Sequence, residues 1–218
     1  MTENQIREIW EMINSLHPQI VLLTGDFVDS SDAEIPAVYN SIKVLKSEFG
    51  VFGALGNHDH YATAEKVNNA LQQRGVMMLN NSHQTLNINN ESLSIVGVDD
   101  PGYGYSNYAD IEKATHGLSP QSFKILLAHR PTFFPTAQKY GMDLTLSGHT
   151  HGGQIGFNFF GVEVNPIYLF YDHARGHYEE NGKQLYVNAG VGMVGVPIRL
   201  VPREITQFTL HTKKSEIG

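Results

Sequence analysis

The sequence has no cysteine among its 218 residues. Thiolate metal sites, disulfide frameworks and cysteine nucleophiles are therefore excluded, and any metal or acid–base chemistry must rest on carboxylates, amides and imidazoles. No apolar run approaches the roughly 20 residues that cross a bilayer as a helix, and no secretory leader opens the chain. These two absences describe only the residues given. Basic residues are few: 15 Lys and Arg against 22 Asp and Glu leave a net charge of −7. That balance excludes a broad non-specific nucleic-acid surface. It does not exclude a phosphate substrate, because bound divalent cations reverse the local field. Internal repeats, low-complexity segments and linkers are lacking as well. The remaining balance, 41% hydrophobic and 17% charged residues, is that of a globular chain. A single domain over residues 1–218 is expected.

What is present is a set of apolar runs that each end in a polar, ligand-type residue. Val21-Leu22-Leu23-Thr24 leads into Gly25-Asp26, and Val51-Phe52-Gly53-Ala54-Leu55 into Gly56-Asn57-His58-Asp59. Ile125-Leu126-Leu127-Ala128 ends at His129, and Leu144-Thr145-Leu146-Ser147 runs into Gly148-His149-Thr150-His151-Gly152-Gly153-Gln154. Four buried strands ending this way describe one site on the carboxyl edge of a sheet, where open α/β sheets place ligands. The Asp, Asn and His donors are hard to borderline and suit Mn, Fe or Zn near phosphate oxygens better than a structural zinc. His149 and His151 are two apart, so on an extended chain they point the same way.

The surrounding pattern alternates helix and strand. Helical spacing of Ile6, Ile9, Trp10, Ile13 and Leu16 precedes a strand over 19–24. Ile35 to Phe49 reads as a second helix closed by Gly50, and Thr63 to Arg74 as a third closed by Gly75. Val76 to Leu79 is a short strand, and Asn89-Asn90-Glu91 turns a hairpin between 85–88 and 93–96. Ala109 to His116 and Thr132 to Tyr140 read as short helices. After Gln154 the pattern becomes all-β, with a hairpin at Glu180-Asn181-Gly182-Lys183 and the last strands within 198–210. The aromatic stretch of Phe157, Phe159 and Phe160, then Ile167 to Tyr171, reads as core plus a strand, with an apolar lip over the site as the functional rival.

The ordered set Gly25-Asp26, Gly56-Asn57-His58-Asp59, His129 and Gly148-His149-Thr150-His151 resembles the calcineurin-like metallophosphoesterases. Gly152-Gly153-Gln154 and Gly97-Val98-Asp99-Asp100 resemble the branch of bacterial, often membrane-linked phosphodiesterases. The resemblance implies an α/β fold in a four-layer α-β-β-α sandwich. It implies hydrolysis of phosphoesters, diesters more than monoesters, by a hydroxide held between two divalent metals (Mn, Fe or Zn). Asp26 would bridge both metals, with Asn57, His129 and His149 on the second and His151 on the first. His58 would be the acid beside the leaving group, with Asp59 orienting it or bracing the turn. Asp29 reads as a cap or turn residue, His60 as a surface residue or substrate contact, and Asp99 and Asp100 as loop residues.

The family's opening strand ends in Asp-x-His, and nothing before Asp26 supplies that motif. The sandwich is therefore expected to lack its first strand, and the first metal keeps only Asp26 and His151. One metal firmly held is the expected state. The rival reading is a degenerate or truncated binding module without catalysis. The expected partner is a phosphoester, lipid-like if the apolar lip is real. Membrane association would come only through an absent amino-terminal segment, and self-association through the exposed sheet edge. No targeting segment decides between a bacterial membrane and the cytoplasm.

Overall fold

The computed structural model describes residues 1–102, 108–160, 162–195 and 198–212. The chain opens with α1 (Glu3–Ser15), β1 (Val21–Leu23), α2 (Ile35–Ile42), β2 (Val51–Gly53), α3 (Asn57–Tyr61), α4 (Ala64–Gln72) and β3 (Val76–Met78). It continues through β4 (Ser82–Ile88), β5 (Glu91–Gly97), α5 (Ile111–Thr115), β6 (Phe123–Leu127), α6 (Phe134–Lys139) and β7 (Leu144–Ser147). It closes with β8 (Phe157–Phe159), β9 (Val162–Val164), β10 (Gly176–Glu180) and β11 (Lys183–Val187). No helix among the described residues is long and apolar enough to cross a membrane.

Two sheets carry the site. One is parallel, in the order β1-β2-β3; the other has six strands in the order β10-β11-β7-β6-β5-β4. In the larger sheet β5, β6, β7 and β11 run parallel, and β4 and β10 flank them antiparallel. Strands covered on both faces need no polar side, and this accounts for the unbroken apolar runs. Ile95, Ile125, Leu127, Leu144 and Leu146 face Leu22, Phe52, Ala54 and Leu79 of the smaller sheet. The alternate residues Val96, Leu126, Leu185 and Val187 pack under Ile111, Ala114, Phe134 and Ala137 of α5 and α6. On the far side Ile9, Trp10, Val38, Ile42, Val67 and Leu71 of α1, α2 and α4 cover Leu23, Val51, Val76 and Met78. The order of layers is helix, sheet, sheet, helix, as the resemblance implies. Each fully buried Leu or Ile contributes roughly 1.5–3 kcal/mol to holding them together.

Both hairpins turn where expected. Asn89 and Asn90 have φ of 53° and 68°, and Asn181 and Gly182 have 53° and 70°, the left-handed pair that Asn and Gly tolerate. Three expectations fail. The stretch from Ile167 to Tyr171, read as core plus a strand, instead begins in a 3-10 turn over Pro166–Leu169. The second helix stops at Ile42 instead of running to Phe49. Asn14 of α1 intercepts the chain there, its Nδ2 donating to Val44 O at 2.7 Å and its Oδ1 accepting from Lys46 N at 2.8 Å. Residues 198–210 form no strand. Side chains hold that segment: Arg199 donates to the carbonyls of Ala189, Gly190, Gly192, Val201 and Pro202.

Candidate metal centre

The smaller sheet delivers Asp26 and Asn57, and the larger delivers His129 and His149. The site therefore lies across two sheet edges, not along one. Close approach depends on two glycines. Gly25 has φ +94°, and a Cβ on it would lie 2.5 Å from Gly56 N. A Cβ on Gly56 would lie 2.3 Å from Asp26 Oδ1 and 2.9 Å from His129 Cε1. Asp26, His149 and His151 are themselves left-handed, with φ of 58°, 68° and 52°. Strain of this kind costs on the order of 1–3 kcal/mol per residue and persists only where the surroundings impose it.

Asp59 imposes it at Asp26. Its Oδ2 accepts from Asp26 N (3.0 Å) and Gly56 N (2.8 Å), and its Oδ1 from Phe27 N (2.8 Å) and Val28 N (3.3 Å). The segment Asn57-His58-Asp59, read from sequence as a turn, is the first turn of α3, and Asp59 reaches back from it to the N-cap amide. Burial pushes the Asp59 carboxyl up to about 6, with the Asp26 charge adding to the shift and the Gly56 N–H opposing it. Asp59 is fully buried. Of its two expected roles the geometry selects the brace: its oxygens are committed to backbone amides, not to His58.

The larger sheet supplies imidazoles with assigned nitrogens. His129 Nδ1 lies 2.6 Å from Thr24 O, so Nδ1 carries the proton and donates it. His129 Nε2 then points at Asp26 Oδ2, 3.0 Å away. Neither of those two atoms has hydrogen-bond geometry to any partner. Burial works against charge on His129, yet Asp26 holds it above the ordinary histidine value. Burial would raise Asp26, but His129 and the His58 N–H hold it at about 2. The two shifts are the mutual attraction of the Asp26 carboxylate and the His129 imidazole. His149 falls to about 3 and His151 to about 4, each mainly through burial. Both are neutral at pH 7, the form that binds a cation.

Ligand atoms of Asp26, His129 and His149 all lie within 4.8 Å of one another. Among the described residues, eight buried side-chain polar atoms have no hydrogen-bond partner. Five of them are Asp26 Oδ2, Asn57 Oδ1, His129 Nε2, His149 Nδ1 and His151 Nδ1, the whole set expected to hold metal. Buried lone pairs without donors are costly unless a cation satisfies them. The residues present therefore fit a divalent cation. His151 stands apart from the three-residue cluster. The stretch from His149 is not extended as the sequence suggested, because Thr150 is helical and His151–Gly153 coils into a 3-10 turn.

His58 sits on the rim of this cluster. Its amide donates to Asp26 Oδ1 at 2.9 Å. Its ring Nδ1 contacts the Asp29 carbonyl and lies 3.2 Å from Asp29 Oδ1. Asp29, read from sequence as a cap or turn residue, is thus the group that orients the ring. His60 bonds Asp99 Oδ1 at 2.7 Å and stacks on Tyr108. Asp100 pairs with Arg130, Nε to Oδ1 at 2.7 Å, with both side chains buried. Asp99 and Asp100 are therefore braces of the cleft loops. Sequence reasoning missed Arg130, Tyr171 and Asn165. Arg130 and Tyr171 both contact His149 Nε2, and Asn165 Nδ2 donates to Gly152 O at 2.8 Å. Arg130 left a trace beside His129, and Tyr171 appeared only as the end of the aromatic stretch read as core or an apolar lip.

The glycine packing gives a direct expectation. Gly56→Ala should push Asp26 aside and weaken Mn²⁺ binding by about 10–100-fold, the range for loss of a ligand's support. Calorimetric titration would check this, and unchanged affinity would mean that the loop absorbs the methyl group.

The comparisons with known proteins agree with the geometry. The calcineurin-like phosphoesterase profile matches residues 2–153. The chain is 34% identical to the metallophosphoesterase YkuE of Bacillus subtilis over 97% of its own length and 74% of that protein's. It is 32% identical to a metallophosphoesterase of Aquifex aeolicus, covering 98% and 80%. It is 31% identical to a transmembrane protein with a metallophosphoesterase domain from Danio rerio, of which it spans 49%. Among solved structures, the NAD nucleotidase NadN of Haemophilus influenzae superposes with a TM-score of 0.54 at 12% identity, over 85% of this chain and 38% of that one, a likeness of fold alone. With a strand-borne Asp, Asn and His cluster set across two packed sheets, and with these relatives, the chain belongs to the calcineurin-like phosphoesterase family.

Proposed function

We propose that the chain hydrolyses phosphodiesters in preference to monoesters, at the centre formed by Asp26, Asn57, His129 and His149. The convergence of buried, donor-less ligand atoms carries this reading. A divalent cation held there would neutralise phosphoryl oxygens and acidify a water molecule for attack. Asp26 supplies the anionic ligand, Asn57 a neutral oxygen, and His129 and His149 neutral nitrogens. His58, steadied through Nδ1 by Asp29, presents its other nitrogen to the leaving oxygen and gives it a proton.

The test is turnover of a generic aryl phosphodiester and the matching monoester with added Mn²⁺. Chelator-sensitive hydrolysis, faster for the diester, is expected. Cation binding without any turnover would instead favour a binding module. The ligand set also leads us to expect one firmly held cation per chain, because His151 stands outside the main cluster. Elemental analysis after exhaustive dialysis would check that number, and two retained cations would overturn it.

The substrate class is the finer part of the reading. Phe160, Leu169 and Phe170 are 94%, 83% and 77% exposed, where the sequence suggested core. Leu169 and Phe170 stand just before Tyr171, whose hydroxyl lies 2.9 Å from His149 Nε2. Large exposed apolar side chains in one region mark a binding surface, which supports a phosphoester with an apolar portion. A Leu169→Ser, Phe170→Ser double variant should raise KM for a long-chain alkyl phosphodiester and leave a short-chain one unchanged. An equal effect on both substrates would remove the apolar lip from the reading.

A further inference from the structure

His149 Nε2 has two polar neighbours, Arg130 Nη1 at 3.0 Å and the Tyr171 hydroxyl at 2.9 Å. They make opposite demands on the ring. A guanidinium offers only donors, so its bond to Nε2 requires a lone pair there and places the ring proton on Nδ1. A hydroxyl oxygen accepts as readily as it donates. If it accepts from Nε2–H, the lone pair moves to Nδ1. Nδ1 is the buried atom with no partner, and a nitrogen that binds a cation must present a lone pair. Arg130 cannot supply that acceptor in any orientation, and Asp100 holds it in place through Nε at 2.7 Å and Nη2 at 3.3 Å, with both residues buried.

We propose that Tyr171 is the positioning residue that holds His149 in its cation-binding tautomer. This rests on the metal-centre reading above. A ligand imidazole commonly has its second nitrogen fixed by a neighbouring acceptor, and His129 already shows the arrangement through Thr24. For His149 the acceptor comes from a segment more than 20 residues away in sequence, and two contacts keep it in place. At one end Asn165 Nδ2 donates to Gly152 O and Asn165 Oδ1 accepts from Ile167 N. The metal turn is shaped around that side chain: a Cβ on Gly153 would lie 2.1 Å from Asn165 Oδ1, and one on Gly156 would lie 2.5 Å from Asn165 Nδ2. At the other end the Tyr171 ring meets the His149 ring edge-on at 5.8 Å. Residues 165–171 are thus fastened to the turn at Gly152 and at His149. In the tautomer Tyr171 selects, Nη1 of Arg130 faces a proton instead of a lone pair, and its bond to the ring is given up.

Tyr171→Phe removes the acceptor and keeps the ring, so it separates this role from packing. Mn²⁺ affinity by calorimetric titration should fall about 10–100-fold, the usual range for loss of such a partner. Melting of the metal-free protein should be unchanged. Imidazole ¹⁵N spectra of the Zn²⁺-loaded proteins supply the second readout. The wild type should show His149 bound through Nδ1 with a protonated Nε2, and Tyr171→Phe should lose this at matched Zn²⁺. Equal Mn²⁺ affinity in the two proteins overturns the proposal. So does a loss of affinity matched by lower metal-free stability with the His149 spectrum unaltered, since Tyr171 would then be only a packing residue. A wild type that binds no Mn²⁺ overturns the metal-centre reading itself, and this inference with it.

Discussion

Asp59→Ala should lower stability by about 3–6 kcal/mol, because the side chain satisfies four backbone amides and each buried donor left unpaired costs roughly 1–3 kcal/mol. The amides of Val28 and Gly56 are the buried pair, and those of Asp26 and Phe27 are partly buried. A domain's total stability is about 5–15 kcal/mol, so the loss is a large fraction of what holds the chain folded. The left-handed backbone of Asp26 loses its restraint at the same time, and metal binding should fail even in the fraction that folds. Urea denaturation of the metal-free variant measures the first effect and calorimetric titration the second. Asp59→Asn is the sharper companion, because it keeps one acceptor and turns the other oxygen into a donor facing backbone amides. A variant as stable as the wild type that has lost only turnover would return Asp59 to the reacting groups.

His58→Ala should reduce turnover by about 10²–10⁴-fold, the contribution of a positioned general acid, with metal content unchanged. The ring is held through Nδ1 by Asp29, and among the described residues no partner occupies Nε2. It stands close enough to Asp26 and His151 to influence both. Its backbone amide, not its ring, bonds the ligand carboxylate, and alanine keeps that amide. Steady-state kinetics on the aryl diester and elemental analysis of the same samples decide the matter. Loss of cation in step with activity would make His58 a ligand.

Much of the fold was legible because it depends on local chemistry. Strands buried on both faces need no polar side, so the mainly apolar β1, β2, β6 and β7 stood out from their surroundings. The two hairpins followed from Asn-Asn and Asn-Gly, residues that accept left-handed backbone. What failed depended on distant side chains. Asn14 stops α2 by taking backbone groups 30 residues away, and Arg199 holds the carboxyl-terminal stretch through carbonyls where a strand was expected. Neither leaves a pattern in the sequence, because a side chain bonded to backbone atoms requires nothing of the residue it meets.

The same division runs through the site. Residue type and order along the chain pointed to the candidate ligands, since Asp, Asn and His at the ends of apolar runs offer hard and borderline donors, and the family resemblance gave each its expected place. Which of them converge was decided in three dimensions. Packing of the two sheets sets Asp26 against His129, and the coil after His149 leaves His151 outside the tight cluster. Hydrogen bonds to the Thr24 carbonyl, the Asp29 carbonyl and the Tyr171 hydroxyl determine which nitrogen of His129, His58 and His149 is available. A ring's useful atom is set by what touches its other side, and those contacts exist only after the chain has folded.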